Sequence, residues 1–300
     1  MFSIIIPVYN KENFIKRTLT SVLNQTFDDF EVIIVNDGST DGSMKVVKEF
    51  SDRRIRIISQ DNNGVSSARN LGIKYAKNNY IAFIDADDIW QPMFLESINN
   101  LIELYPDSGA YYTNYKVGTK REMEINLNTN TEYQSLLIND YFEFATKGKA
   151  ICASCVVIKK RVLVDVGGFC TSYKRGEDLY LWSKIALKYK IAYTTYVGAF
   201  YYRDVPNSLS RIQFNLEESF SNIAEEFFMN NKKLAINEDS FREYMIAIIS
   251  SKAKYLLILN KKEDARLLLK KYIKTKDNKK KVYLLYLMSY LPKTLIDILI

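Results

Sequence analysis

The chain contains no histidine. Histidine is the usual proton carrier near neutral pH and a frequent nitrogen ligand of metals. Any general base here must therefore be a carboxylate, a lysine, a tyrosine or a cysteine, and any metal site must be built from oxygen or thiolate. Cysteine is nearly as scarce. Three residues, an odd and low count, argue against a disulfide framework and for a reducing cytoplasm. No run of about 18 apolar residues occurs, so no transmembrane helix is expected. Met1 leads at once into "FSIIIPV", without a basic region or a small-residue cleavage site, so no signal peptide is expected.

Net charge is unevenly spread. The whole chain carries +7, yet residues 261–281 alone hold ten Lys/Arg against three Asp/Glu. The remainder is balanced, which argues against a nucleic-acid-binding body with a broad basic face. A hydrophobic fraction of 47% and a charged fraction of 26% describe an ordinary globular chain. Its 300 residues suffice for one large core domain and a smaller appendage.

The first half alternates two periods. Phe2–Pro7, "FEVIIV", "RIRIIS" and "YIAFI" read as strands. "KENFIKRTLTSVLNQ", with Phe14, Leu19, Val22 and Leu23 at helical spacing, "GVSSARNLGIKYAK" and "QPMFLESINNLIELY" read as helices, the last with Pro92 near its first turn. Strand–helix alternation predicts an α/β fold with a doubly wound, mostly parallel sheet flanked by helices. Beyond residue 109 the order is less regular. "GAYYTNY", "CASCVVI" and "IAYTTYVGAFYYR" read as strands, "KRVLVDVGGF" and "EDLYLWSKIALKYK" as helices. After about Pro206 the pattern is wholly helical, with a helical hairpin in "AKYLLILNKKEDARLLLKKYI". The expected division is a first domain over residues 1–210 and a basic helical region over 211–300.

Four successive strands end in polar clusters: "PVYN", "VNDGSTDGS", "SQDNNGVSSARN" and "DADD". In an open parallel sheet ligands bind beyond the carboxyl ends of the strands, so these clusters are expected to converge. Asp85, Asp87 and Asp88 lie within four residues, and their repulsion calls for compensation. A hard divalent cation, Mg²⁺ or Mn²⁺, supplies it, since such ions prefer carboxylate oxygens together with substrate phosphates. A solvated Asp-rich turn is the plainer reading of an isolated D-x-D-D, and the company of three other polar strand ends weighs against it. "CASC", Cys152 to Cys155, lacks the second pair, histidine or helix start that a redox or zinc site needs, and is read as structural. "DGSTDGS" lacks the Gly-Lys-Ser/Thr ending of a phosphate-cradling P-loop.

"SIIIPVYN", "VNDGSTDGS", "DNNGVSSARNLGI", "FIDADD" and "GGF…GEDLYLW", in this order and spacing, resemble the family 2 glycosyltransferases of the GT-A fold. The resemblance covers about residues 2–210. It implies an inverting transfer of sugar from a UDP-sugar to an acceptor hydroxyl by metal-assisted direct displacement, in the synthesis of a bacterial surface glycan such as a polysaccharide or lipooligosaccharide. By the same resemblance Pro7 and Tyr9 line the base pocket, and Asp37 bonds the uracil ring. Asn62 and Arg69 contact the nucleotide, Asp85 and Ala86 lie close to the donor, Asp87 is the metal ligand, and Asp88 supports it. The pair Glu177 and Asp178 begins a helix, where the macrodipole favours negative charge. Asp178 matches the general base, and Glu177 supports it or contacts the acceptor. Trp182, one turn on, faces either the sugar pocket or the core. The chain departs from its relatives in "YYRDVPNSLSR", where many carry a histidine near the metal. Arg203 remains as a phosphate contact, and the chain has no histidine to serve as a third protein ligand of the metal.

Two other classes compete with this reading. A nucleotidyltransferase would want a Gly-rich loop with Arg/Lys near the first strand, and "PVYNKEN" is not one. A catalytically silent nucleotide-sugar-binding protein would not need Asp85, Asp87, Glu177 and Asp178 together. The basic segment 261–281 runs into "VYLLYLMSYL", a pairing suited to adsorption on an anionic membrane surface. Packing of that apolar stretch on neighbouring helices, or a homo-oligomer contact, accounts for it equally. The expected location is the cytoplasm, peripheral at the inner face of the membrane, with a glycan or lipid-linked glycan as acceptor.

Overall fold

The structure is a computed structural model and describes residues 1–118, 133–148, 150–202 and 215–300. The chain forms two compact units. The first comprises Met1–Asn139, Ile151–Thr171 and Lys184–Ile212, and the second Asp140–Ala150, Ser172–Ser183 and Gln213–Ile300. Two short segments that precede residue 210 therefore group with the helical region.

Among the described residues the first unit holds a nine-stranded sheet. Its strands are β1 (Phe2–Val8), β2 (Phe30–Asp37), β3 (Ile55–Gln60), β4 (Tyr80–Phe83), β5 (Ile89–Trp90), β6 (Ala110–Gly118), β7 (Ser135–Ile138), β8 (Val156–Lys159) and β9 (Ile191–Tyr202). They run in the order β3-β2-β1-β4-β8-β6-β9-β5, with β7 also beside β9. The β1–β2, β1–β4, β2–β3 and β6–β9 pairs are parallel. The β4–β8, β5–β9, β6–β8 and β7–β9 pairs are antiparallel. The sheet is thus mixed, and its parallel part is chiefly the first four strands. Three helices make the crossovers between them: α1 (Ile15–Leu23), α2 (Ser43–Val47) and α3 (Val65–Tyr75).

Burial follows from position. Ile4, Ile5 and Ile6 of the inner strand β1 are wholly buried, whereas β3, at the sheet edge, holds only half-buried and exposed residues. Helix α3 lies directly on β1, because a Cβ at Gly72 would come within 2.5 Å of the Ile5 side chain. Helix α4 (Phe94–Leu104) follows the aspartate-rich loop. The inward face of α1 differs from the periodic expectation. Ile15, Thr18, Leu19 and Val22 are buried, while Phe14 precedes the helix and Leu23 is half-buried. Thr18 takes an apolar place because its hydroxyl bonds two loop carbonyls, described below.

"CASCVVI" is not one strand. Ala153–Cys155 forms a turn of 3-10 helix and β8 starts only at Val156. The Cys155 N–H bonds the Cys152 carbonyl at 3.1 Å, and the Cys152 N–H bonds the Cys155 Sγ at 3.3 Å. These bonds close the turn locally before the strand begins. "KRVLVDVGGF" does contain a short helix, α6 (Lys160–Val166), ending at Gly167.

The second unit is helical. It contains α5 (Tyr141–Thr146), α7 (Glu177–Ala186) through Ser183, α8 (Phe220–Asn231), α9 (Glu238–Ile258), α10 (Lys262–Lys270), α11 (Lys279–Met288) and α12 (Lys293–Leu299). Its early segments are drawn in by aromatic contacts. Phe142 lies 4.4 Å from Phe241, and Tyr180 lies 5.2 Å from Phe220 and 5.3 Å from Phe227 between ring centroids. The expected hairpin is α9 and α10, joined through Asn260 at φ +58°, a conformation that asparagine tolerates.

Glu243 of α9 ties this unit together. Its carboxylate accepts from the Thr275 hydroxyl, the N–H groups of Lys276 (3.0 Å) and Asp277 (3.1 Å), and the Asn278 side chain (3.1 Å). Burial alone would raise its pKa, but these donors together hold it below the ordinary glutamate value. A lowered folded-state pKa contributes stability above the unfolded-state value, and the contribution is lost as pH falls through the folded value. Glu243→Gln is expected to cost about 3 kcal/mol at neutral pH. In urea melts the difference from the parent should shrink below about pH 4.5, where the carboxylate of the unfolded chain begins to protonate, and continue to shrink as pH falls through the lower folded-state value. An equal difference at pH 7 and pH 3 would contradict this.

Candidate active site

The site of the first unit is built on loops that follow neighbouring strands. β1 ends at Val8, β2 at Asp37, β3 at Gln60 and β4 at Phe83, and the register pairs Val8 with Asn36 and Asp37 with Gln60. The loop after β1 is fastened to the loop after β2. Asn10 Oδ1 accepts the Thr40 N–H at 2.8 Å, Glu12 accepts the Gly42 N–H at 2.6 Å, and the Lys11 N–H donates to Ser43 Oγ at 2.6 Å. The loop after β2 meets the loop after β3 so closely that a Cβ at Gly38 would lie 2.9 Å from the Asn62 nitrogen. Gly38 also has φ +73°, which a side chain would strain.

Asp37 is 3% exposed. It accepts from the N–H groups of Asn63 and Gly64, both at 2.9 Å, and from Gln60 Nε2 at 2.7 Å. It thereby shapes the turn that opens α3. An ionised carboxylate has about four acceptor positions, and three donors meet this one.

The aspartates of "DADD" are held in three different ways. Asp85 Oδ1 receives Arg69 Nη2 at 2.7 Å, and the Arg69 guanidinium lies 5.0 Å from the Phe169 ring. Asn70 exchanges two hydrogen bonds with the Phe169 backbone, at 2.8 and 2.9 Å. The "GGF" and "SSARN" motifs therefore serve one structure, in which Phe169 backs the arginine that pairs with Asp85. Asp87 Oδ2 receives Lys11 Nζ at 2.5 Å. Burial raises the pKa of Asp87, and Asp85 adds to this while Lys11 opposes it. Asp88 is wholly buried and accepts from Ser154 Oγ at 2.5 Å and the Tyr202 N–H at 3.0 Å. Burial first, then the charges of Asp85 and Asp87, push its pKa well above the ordinary carboxylate range.

Helix α1 grips the backbone of the same loop. Thr18 Oγ1 lies 3.0 Å from the Ala86 carbonyl and 2.7 Å from the Asp88 carbonyl. Arg17 Nη2 donates to the Asp87 carbonyl at 2.6 Å, and its guanidinium stacks 3.8 Å from the Tyr202 ring centroid.

Sequence reasoning named the aspartates but not Lys11, Arg17, Thr18, Asn70, Ser154 or Phe169. Thr18 had a legible signal, a polar residue on the apolar stripe of a helix. The others became visible only when the loops met. Pro7, the last residue but one of β1, is half-buried, Tyr9 is 45% exposed, and Asn62 is exposed. Ala86 is buried. Arg203 lies outside the described residues. Glu177 and Asp178 belong to the second unit, in the first turn of α7, where the Leu179 N–H donates to Asp178 Oδ1 at 2.7 Å. Trp182, also in the second unit, is 1% exposed and forms part of the core.

The donor set fits a hard divalent cation. The partly exposed carboxylates of Asp85 and Asp87 supply only oxygen, and the Lys11 ammonium against Asp87 shows that the position accepts positive charge. Among the described residues no three acidic or thiol side chains surround one metal position. Phosphate and water would have to supply the other ligands.

Residues 3–167 match the family described as glycosyl transferase family 2. The chain is 33% identical over 220 residues to glycosyltransferase GlyA of Streptococcus pneumoniae, covering 70% of this chain and 31% of the relative. It is 32% identical over 187 residues to the UDP-Glc:alpha-D-GlcNAc-diphosphoundecaprenol beta-1,3-glucosyltransferase WfgD of Escherichia coli, covering 62% of this chain and 69% of that one. The chain thus spans less than a third of GlyA but over two thirds of WfgD. The solved structure of S. aureus TarS 1–349 in complex with UDP-GlcNAc shares the fold at a TM-score of 0.67 and 19% identity, covering 83% of this chain and 71% of that one. By the family match over more than half its length, and by its likeness to WfgD, this chain belongs to glycosyl transferase family 2.

Proposed function

We propose that the chain is an inverting glycosyltransferase that moves a sugar from a UDP-sugar to an acceptor hydroxyl with the help of a divalent metal, Mn²⁺ or Mg²⁺. The observation that carries this reading is the placing of Asp37 at the end of β2, of the Arg69–Asp85 pair and of the Lys11–Asp87 pair at the carboxyl ends of the parallel strands of the first unit. TarS, which shares the fold, was solved with UDP-GlcNAc, and WfgD is named for a UDP-Glc donor.

In this reading Pro7, Tyr9 and Asn62 border the nucleobase, and Asp37 accepts a base N–H with its remaining acceptor position. Asp85, oriented by Arg69, lies toward the ribose, with Ala86 beside it. Asp87 would hold the cation, with Asp88 as its buried support, and Lys11 would yield its place on Asp87. A bound divalent ion neutralises the charge growing on the leaving diphosphate. Arg203 is a further phosphate contact. Asp178 takes the proton from the acceptor hydroxyl, because a hydroxyl is a weak nucleophile and no histidine exists to do so. Glu177 supports it. A nucleotidyltransferase, or a silent nucleotide-sugar binder, is the alternative. The test is calorimetry with UDP, GDP and CDP, with and without Mn²⁺. Metal-enhanced binding of UDP over the other two supports the reading, and preference for another nucleotide overturns the donor assignment.

The acceptor in this reading is a lipid-linked glycan, as the name of WfgD describes for that enzyme. The protein would meet it at the inner face of the membrane, where a homo-oligomer contact is the competing use of the same surface. Among the described residues no helix is long and apolar enough to cross a membrane. Support for surface adsorption comes from α11. Val282, Leu285 and Met288 point inward, while Tyr283, Leu284, Leu287 and Tyr290 are exposed together with Lys279 and Lys280. An aromatic and aliphatic face that begins in lysines suits an anionic interface. Binding to anionic vesicles should fall with added salt and be largely lost in Lys279→Glu/Lys280→Glu/Leu287→Ser. Equal sedimentation of parent and variant would contradict it, as would vesicle-independent dimerisation through this face.

A further inference from the structure

Ser154 sits in the turn between Cys152 and Cys155, a segment whose cysteines draw attention and whose serine does not. It is 1% exposed. Its hydroxyl makes two bonds, one to each end of the aspartate loop. Oγ accepts the Asp85 N–H at 3.0 Å and donates to Asp88 Oδ2 at 2.5 Å. Its own carbonyl is held by Trp90 Nε1 at 2.6 Å, so the serine is itself fixed from the far side of the loop. Trp90 in turn stacks on Phe94 with ring centroids 4.0 Å apart. The other loop contacts of α1 go to the carbonyls of residues 86–88. Ser154 is different, since one atom closes the four-residue loop from its first N–H to its last carboxylate.

We infer that Ser154 is a positioning residue whose hydroxyl sets the loop geometry in which Asp85 and Asp87 together receive a metal–nucleotide complex. The inference rests on the proposed function above and adds a residue that the motif does not contain. The physical reason is geometric. Asp85 and Asp87 are two residues apart on one turn, so the separation of their carboxylates depends on the turn's backbone. Residue 85 begins that turn and residue 88 ends it. A buried hydroxyl bonded to both ends restricts its opening. Outer partners of this kind orient ligands that they do not replace.

The two cysteines then have a structural role. Their backbone and Sγ bonds form the 3-10 turn that presents Ser154 to the loop. No thiol chemistry is required, and the hydrogen bond with Cys155, then burial, raises the Cys152 pKa well above that of a free thiol.

The test measures UDP binding by calorimetry, with and without Mn²⁺, on the full chain. The readout is the factor by which Mn²⁺ tightens UDP. In Ser154→Ala that factor should fall by about tenfold or more, while metal-free UDP affinity stays within about twofold. Ser154→Thr keeps the hydroxyl and should restore most of the factor. A factor unchanged in Ser154→Ala overturns the inference. So does equal weakening of metal-free and metal-bound UDP, which would mark a general packing loss. A threonine variant as poor as alanine, with a native thermal midpoint, also overturns it. If the parent chain itself shows no metal-dependent UDP binding, the proposed function fails, and that outcome is distinct from failure of the serine variants alone.

Discussion

Replacing Asp178 by asparagine should slow sugar transfer by about 10³-fold, within the span of general-base contributions, while UDP affinity stays within a few-fold. The amide keeps the size and shape of the carboxylate but cannot take a proton at neutral pH. The Leu179 N–H can still donate to the amide oxygen, so the helix start is preserved. The effect should therefore appear in kcat and not in donor KM, the signature of an interaction made in the transition state. Glu177→Gln should cost much less if Glu177 only supports its neighbour. The absence of histidine gives this experiment its force, because no imidazole can substitute as base. Unchanged turnover in Asp178→Asn would refute the base assignment and favour the reading in which Glu177 and Asp178 merely begin a helix favourably.

Removing the carboxylate of Asp87 should have a comparable effect by a different route. Asp87→Ala takes away the proposed metal ligand and leaves Lys11 without the partner it has at 2.5 Å. Loss of several kcal/mol of leaving-group stabilisation corresponds to about 10³-fold in rate. Here the donor affinity should change as well, because Mn²⁺ should no longer tighten UDP. The two variants are thus expected to separate. Asp178→Asn spares metal-dependent binding and loses turnover, whereas Asp87→Ala loses both. If Asp87→Ala kept the parent's response to Mn²⁺, the metal would have to be held elsewhere.

The strand ends were legible in the sequence because a parallel sheet delivers its carboxyl ends to one side, and each end here is marked by a polar cluster. Asp37, Arg69, Asp85 and Asp87 lie in or directly after these clusters. Their fastenings were not legible. Lys11 reaches Asp87 across 76 positions and Ser154 reaches Asp88 across 66, and no local period encodes such pairs. Thr18 interrupts an apolar helix face, a signal that periodicity reads as noise. "CASC" misled in a specific way, because its flanking β-branched residues extend a strand pattern over what is a hydrogen-bonded turn. The strand β5 has two residues and β7 four, too short for alternation to be recognised. The helical region was visible as a class, but α5 and the start of α7 joined it through aromatic contacts between distant segments, such as Phe142 with Phe241.

The measurement that bears most directly on the central claim is release of nucleotide from a panel of nucleotide sugars, with Mn²⁺ and with a chelator in its place. Slow transfer to water suffices as a signal when the natural acceptor is absent. The account predicts UDP release from at least one UDP-sugar in the presence of Mn²⁺, loss of that release on chelation, and no comparable release from GDP- or CDP-sugars. Failure of every UDP-sugar, or release indifferent to chelation, would contradict it.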